Sequence, residues 1–187
     1  MTDSQSTLRK LRVAGWTTVG LLLVLPAAAM GLQVEGVDWG PGDFIVATVL
    51  LVGSGLAIEG LVRVSDNAAY RLGAALAVFA TLFMIWSNLA VGIVGSENDP
   101  FNALYFLLIP IIGLGALVAR LSASGMAKVM ALAALFPVGM AIAALLLGKH
   151  LQPIDSIVEV VGANALFVTL YGVSALLFSK AARQRDR

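Results

Sequence analysis

Six long apolar runs, separated by short polar segments, organise this chain. They cover residues 13–32, 44–62, 72–95, 101–119, 129–148 and 160–179. Crossing the ~30 Å hydrocarbon layer takes about 20 apolar residues at 1.5 Å each, and every run meets that length. Five of the six contain no charged residue, and the second contains only Glu59, near its end. None shows the roughly ten-residue alternation of a barrel strand, so each is predicted to be a helix. The expected fold is an all-α membrane protein, a bundle of six transmembrane helices without a soluble domain. Residues 1–12 precede the bundle, 13–179 form it, and 180–187 are a basic tail.

Charge gives the bundle a direction. Arg9, Lys10, Arg12, Arg63, Arg71, Arg120, Lys128, Lys180, Arg183, Arg185 and Arg187 all fall on one side if the six helices alternate. The other side holds Lys149 with Glu35, Asp38, Asp43, Glu97, Asp99 and Asp155. Basic residues favour the cytoplasmic face, which predicts both termini inside. Removing any one helix would scramble the segregation, so the charges also support the count of six. The first run has signal-peptide features, with a basic start and small residues at Ala27-Ala28-Ala29. Its apolar stretch continues to Leu32, longer than a usual signal core, so the expectation is an uncleaved helix.

Composition sharpens the class. Hydrophobic residues make up 59% of the chain and charged residues 12%, against roughly 45–50% and 25% in soluble domains. This much apolar surface needs lipid to face it. The chain has no cysteine, which excludes disulfides, thiolate metal sites and Cys nucleophiles. A net charge of +1 offers no field for nucleic acid, and the loops are too short for a nucleotide-binding or sensor module.

The most distinctive segment runs Trp86-Ser87-Asn88-Leu89-Ala90-Val91-Gly92-Ile93-Val94-Gly95-Ser96-Glu97, followed by Asn98-Asp99-Pro100 and the pair Tyr105-Phe106. It resembles an uncharacterised family of small polytopic bacterial inner-membrane proteins that share Trp-x-Asn-Leu-Ala-Val-Gly-Ile-x-Gly-Ser-Glu, an Asn/Pro-rich turn and a Tyr-Phe pair. The earlier stretch Trp39-Gly40-Pro41-Gly42-Asp43-Phe44 is similar to the family's Trp-x-x-x-Asp-Phe. The resemblance covers roughly residues 35–125 and fades over the last two helices. It implies a bacterial inner membrane and no particular activity.

Candidate chemistry is sparse. Ser96, Glu97, Asn98 and Asp99 crowd oxygen ligands at a membrane surface, where Glu97 and Asp99 could hold a hard cation. The structural alternative is preferred: Asp99 caps the fourth helix and Pro100 occupies its first turn. Asp43 is assigned the same capping role at the second helix. Asn88 sits ~10 Å inside its helix end at 1.5 Å per residue. An amide at that depth should bond to a neighbouring helix; a substrate contact is the alternative. Glu59 is the one acid inside a run, a functional candidate by position, although an (i, i+4) pair with Arg63 would account for it. Trp86 is expected to pack inside the bundle, and Trp39 and Tyr70 to anchor at the two interfaces. His150 has no partners with which to hold a metal. No acid, base and nucleophile share one depth.

Small residues four apart (Gly53/Ala57, Gly73/Ala77, Gly115/Ala119, Ala144/Gly148) suit close helix packing or docking against another subunit. Pro26, Pro110 and Pro137 interrupt their helices. The expectation is therefore a non-catalytic integral membrane protein, an assembly or accessory component or a homo-oligomer. It would carry no cofactor or metal, and its partners would be lipid and another membrane chain. The alternative is a small transporter or channel for a neutral or lipid-like solute, its path formed by Asn88, Glu59 and the prolines.

Overall fold

A computed structural model describes residues 2–151 and 156–185; Asp155 and Arg187, assigned above to opposite sides, lie outside the described residues. Among the described residues everything regular is helical. The elements are α1 (Thr2–Gly31), α2 (Pro41–Val62), α3 (Ala68–Ala90), a 3₁₀ helix (Pro100–Leu107), α4 (Leu108–Val118), α5 (Ala123–Leu146), a short 3₁₀ turn (Lys149–Leu151) and α6 (Ile157–Arg185). Among the described residues six helical spans are long and apolar enough to cross a membrane, the fourth combining the 3₁₀ helix with α4. The chain divides into two compact units, Met1–Glu59 and Gly60–Arg187.

In the first unit α1 and α2 fold back on each other through residues 32–40. The turn begins where α1 stops: Gln33 takes a left-handed φ of 54°, and Val34 N–H reaches back to Ala29 O while Gln33 N–H reaches Met30 O. This six-to-one and five-to-two pair satisfies carbonyls that a helix end leaves open. The second helix starts at Pro41, three residues before the predicted Phe44. Proline suits a first helical position because its missing N–H is not needed there. Asp43 is accordingly not the cap residue itself; its Oδ2 accepts from Gly40 N–H at 2.8 Å, the return contact of a capping box. Trp39 lies edge-on to Phe44, ring centres 5.3 Å apart. Close approach of the two helices depends on Gly55, where a Cβ would come within 3.2 Å of the Trp16 ring.

The second unit is a four-span bundle whose two ends are tied by polar contacts. At one end Tyr70 OH donates to Leu121 O at 2.7 Å and Asn67 Nδ2 donates to Gln184 Oε1 at 2.9 Å. These join the start of α3, the α4–α5 turn and the end of α6. At the other end Asn88 Nδ2 donates to Asn102 O at 2.8 Å, and Lys149 Nζ donates to both oxygens of Asp99. Successive spans therefore alternate in direction. Arg63, Arg71, Arg120, Lys128, Lys180 and Arg183 fall towards the first end of this unit and Lys149 at the second, the segregation read from sequence.

Small residues on α3, α5 and α6 let the backbones approach. Ala74, Ala80, Ala133 and Ala144 are fully buried among Tyr70, Met84, Met130, Tyr171 and Phe178. At Gly73 an added Cβ would meet Leu177 Cβ at 3.3 Å, and the neighbouring Ser174 Oγ donates to Gly73 O at 2.8 Å. At Gly115 a Cβ would come 2.9 Å from Val129. The predicted sites at Gly73, Gly115 and Ala144 thus lie inside the bundle, while nothing lies within 4 Å of a Cβ built at Gly53. Helix starts are capped as their sequences suggest. Asn67 Oδ1 accepts from Ala69 and Tyr70 N–H, Ser122 Oγ accepts from Gly125 N–H, and Ser156 and Glu159 exchange bonds in a complete capping box.

Several expectations change on contact with the fold. The third helix stops at Ala90 rather than Gly95, because Gly92 and Gly95 adopt φ of 78° and 70°. Pro110 lies in the first turn of α4, two residues after the fourth span changes from 3₁₀ to α geometry. Tyr70 lies at the first end of the unit but packs inside it against Phe178 (ring centres 5.0 Å apart) rather than facing the interface. Trp86 is 39% exposed and faces outward rather than filling the bundle.

Candidate functional site

The polar interior gathers at the second end of the four-span unit, around one residue. Asn102 is 3% exposed and its side chain makes four hydrogen bonds. Oδ1 accepts from Ile93 N–H and Val94 N–H, both at 3.1 Å. Nδ2 donates to Val94 O at 2.9 Å and Ser96 O at 2.8 Å. An amide matches this duty because it carries two donors and an acceptor on one planar group. The loop 91–96 is thereby wrapped around Asn102, and Gly92 makes the wrap feasible: a Cβ there would collide with Ser96 C and O at 2.7 Å and with Asn102 Nδ2 at 2.8 Å.

Asn88 bonds to the next span, as expected, through Asn102 O, although with α3 ending at Ala90 it sits at the helix end rather than deep within the span. That donation fixes which atom is nitrogen, since the reverse orientation would set oxygen against oxygen. Its Oδ1 is buried and has no hydrogen-bond partner among the described residues. Nearby in the fold, Tyr105 OH donates to Asn164 Oδ1 at 2.9 Å, and Asn164 Nδ2 donates to Val160 O at 2.8 Å. Deeper between α3 and α6, Thr81 Oγ1 lies 3.1 Å from Tyr171 OH.

Asp99 caps the 3₁₀ helix, its Oδ1 accepting from Phe101 N–H at 2.9 Å with Pro100 following. The same carboxylate receives Lys149 Nζ at 2.8 and 2.6 Å, and the ammonium lies 5.9 Å from the Phe101 ring centre. Glu97 Oε1 accepts from Asn98 Nδ2 at 2.9 Å on the exposed side. No group of three or more His, Asp or Glu that could share a metal ion occurs among the described residues. His150, in the short turn beside Lys149, carries a buried Nδ1 without a hydrogen-bond partner.

Glu59 belongs to the first unit. Its Oε1 accepts from Arg12 Nε at 2.5 Å and Trp16 Nε1 at 2.7 Å, and its Oε2 from Arg12 Nη2 at 3.0 Å. The forked guanidinium and the indole hold the carboxylate in a fixed position. The (i, i+4) reading had named neither partner, because both lie more than forty residues away on α1.

Sequence reading missed Asn102, Asn164 and Lys149. Asn102 was the most accessible of the three: an amide two residues inside an apolar span, downstream of a Gly-x-x-Gly turn, needs partners that such a loop can supply. No family model, curated protein or solved structure matches this chain.

Proposed function

We propose that the chain is a non-catalytic component of a bacterial inner membrane, assembling with another membrane protein or with copies of itself. Both termini would lie in the cytoplasm, an orientation supported by the basic residues. The family resemblance of the Trp86–Glu97 segment points to the same membrane. The observation that carries the reading is how the interior polar groups are used. Of the buried polar residues Asn88, Asn102, Asn164 and Ser174 among the described residues, the last three are engaged in bonds that build the bundle. Such groups hold helices in register and leave little to bind a solute or carry a reaction. The test is extraction of the full chain from native membranes in a mild detergent, followed by mass spectrometry of what accompanies it. A reproducible membrane partner or a second copy is expected. A monomer without companions in two unrelated mild detergents would overturn the reading.

One observation favours a second reading, transport of a small neutral solute: the unpartnered Asn88 Oδ1. It predicts loss of solute flux in Asn88→Leu at unchanged expression.

A further inference from the structure

The first end of the four-span unit contains a cleft of about 530 Å³ between the start of α3, the α4–α5 turn and the end of α6. It lies where all four spans of the unit begin or end, and so at headgroup depth in a bilayer. Its wall includes Arg120, whose guanidinium has no ion pair or hydrogen bond among the described residues. The backbone presents this arginine in an unusual way. Arg120 and Leu121 are consecutive non-glycine residues with φ of 48° and 55°, and Leu121 O is held by the Tyr70 hydroxyl, another residue of the wall. The acid on the rim, Asp66, is bound by Arg71 at 2.6 Å, so it does not neutralise Arg120. The remaining polar surface is largely uncharged: Ser65, Asn67, Ser122 and Gln184 line it, with the Asn67 amide already donating to Gln184 and the Ser122 hydroxyl to Ala119 O. The walls at Asn67 and Ser122 are also the starts of α3 and α5, whose positive dipole ends add to the same sign.

An exposed guanidinium without a partner among the described residues, on the wall of a cleft at headgroup depth, fits a phosphate-bearing anion. We propose that this cleft binds the phosphate of an anionic phospholipid headgroup, with Arg120 as its charged ligand. The inference is independent of the assembly reading and stands if that reading fails.

The test uses the purified full chain in a neutral detergent, with thermal unfolding and native mass spectrometry as readouts. The probes are dihexanoyl-phosphatidylglycerol, dihexanoyl-phosphatidylcholine, and inorganic phosphate against chloride at matched ionic strength. Phosphatidylglycerol is expected to raise the Tm and to remain bound in the gas phase, and phosphatidylcholine is not. Arg120→Asn removes the charge but suits the left-handed backbone, so it should fold; it is expected to bind phosphatidylglycerol roughly tenfold more weakly. Lys128→Gln removes an exposed charge at the same end, outside the cleft, and should bind as the parent does. If inorganic phosphate also raises the Tm in an Arg120-dependent way, the phosphate group alone suffices; if only the lipid acts, the acyl-linked headgroup is the ligand. The proposal is overturned if phosphatidylglycerol has no effect, if phosphatidylcholine equals it, or if Arg120→Asn binds unchanged.

Discussion

Replacing Asn102 by alanine should be among the most damaging single changes at the second end of the four-span unit. The substitution removes four hydrogen bonds at once. It strands the N–H groups of Ile93 and Val94 and the carbonyls of Val94 and Ser96. Ile93 and Val94 are themselves buried. Each buried polar group left without a partner costs about 1–3 kcal/mol. The loop sits at a span end, where water can re-enter once packing loosens, so the lower part of that range applies to each group. The net loss is about 3–4 kcal/mol. For a chain of this size that corresponds to a Tm drop of about 8–12 °C. Thermal unfolding in detergent measures it, and hydrogen exchange locates it: the amides of Ile93 and Val94 should lose protection first. Asn102→Asp tests the donors separately. It retains the acceptors but sets a carboxylate oxygen against the Val94 and Ser96 carbonyls, and should cost at least as much as alanine. Asn98→Ala, which loses only an exposed contact with Glu97, should stay within about 0.5 kcal/mol of the parent. Asn102→Ala melting within about 2 °C of the parent, with those amides still protected, would refute the central role given to this side chain.

Further outcomes follow from the same geometry. Gly92→Ala should destabilise by about 2 kcal/mol or more in detergent unfolding, because its Cβ meets Ser96 backbone at 2.7 Å in a left-handed conformation. Ser174→Ala should cost only about 0.6 kcal/mol by the same measurement, the usual worth of a hydrogen bond between spans. Gly73→Val, which forces apart the contact with Leu177 and Phe178, should cost several times that. Glu59→Gln should lower stability by less than about 1 kcal/mol, since Arg12 is 59% exposed and its ion pair is screened; a larger loss in chemical unfolding would show a more shielded pair. The orientation is tested by single cysteines in this cysteine-free chain: Asn98→Cys should react with an impermeant thiol reagent in intact cells and Ser124→Cys should not, and the opposite pattern would reverse the topology.

The apolar runs located all six spans because burial in lipid is a property of composition, which a sequence displays directly. The capping of Asp99 was equally legible, since an acid before a proline at a helix start has few other uses. Partner choice was not. Glu59 met Arg12 and Trp16 on α1, and Asp99 met Lys149 some fifty residues later; these pairs depend on which helices lie side by side. Asn102 looked like one polar interruption in an apolar span, because its four bonds go to the backbone of a loop whose shape exists only once Gly92 has turned. The candidate site was half visible: Asn88 was singled out by depth, while the residue that positions it was overlooked. Tyr70 and Trp86 were misplaced for a common reason. Aromatic type alone does not reveal which side of a helix faces lipid.

The 3₁₀ opening of the fourth span bears on membrane thickness. A 3₁₀ helix rises ~2.0 Å per residue against 1.5 Å for an α-helix, so the eight residues Pro100–Leu107 gain about 4 Å over an α-helix of equal length. The fourth span has only 19 residues, which as an α-helix would fall slightly short of a ~30 Å hydrocarbon layer. Stretching its first half offsets that mismatch without adding residues, so the shortest of the described spans can still cross the layer.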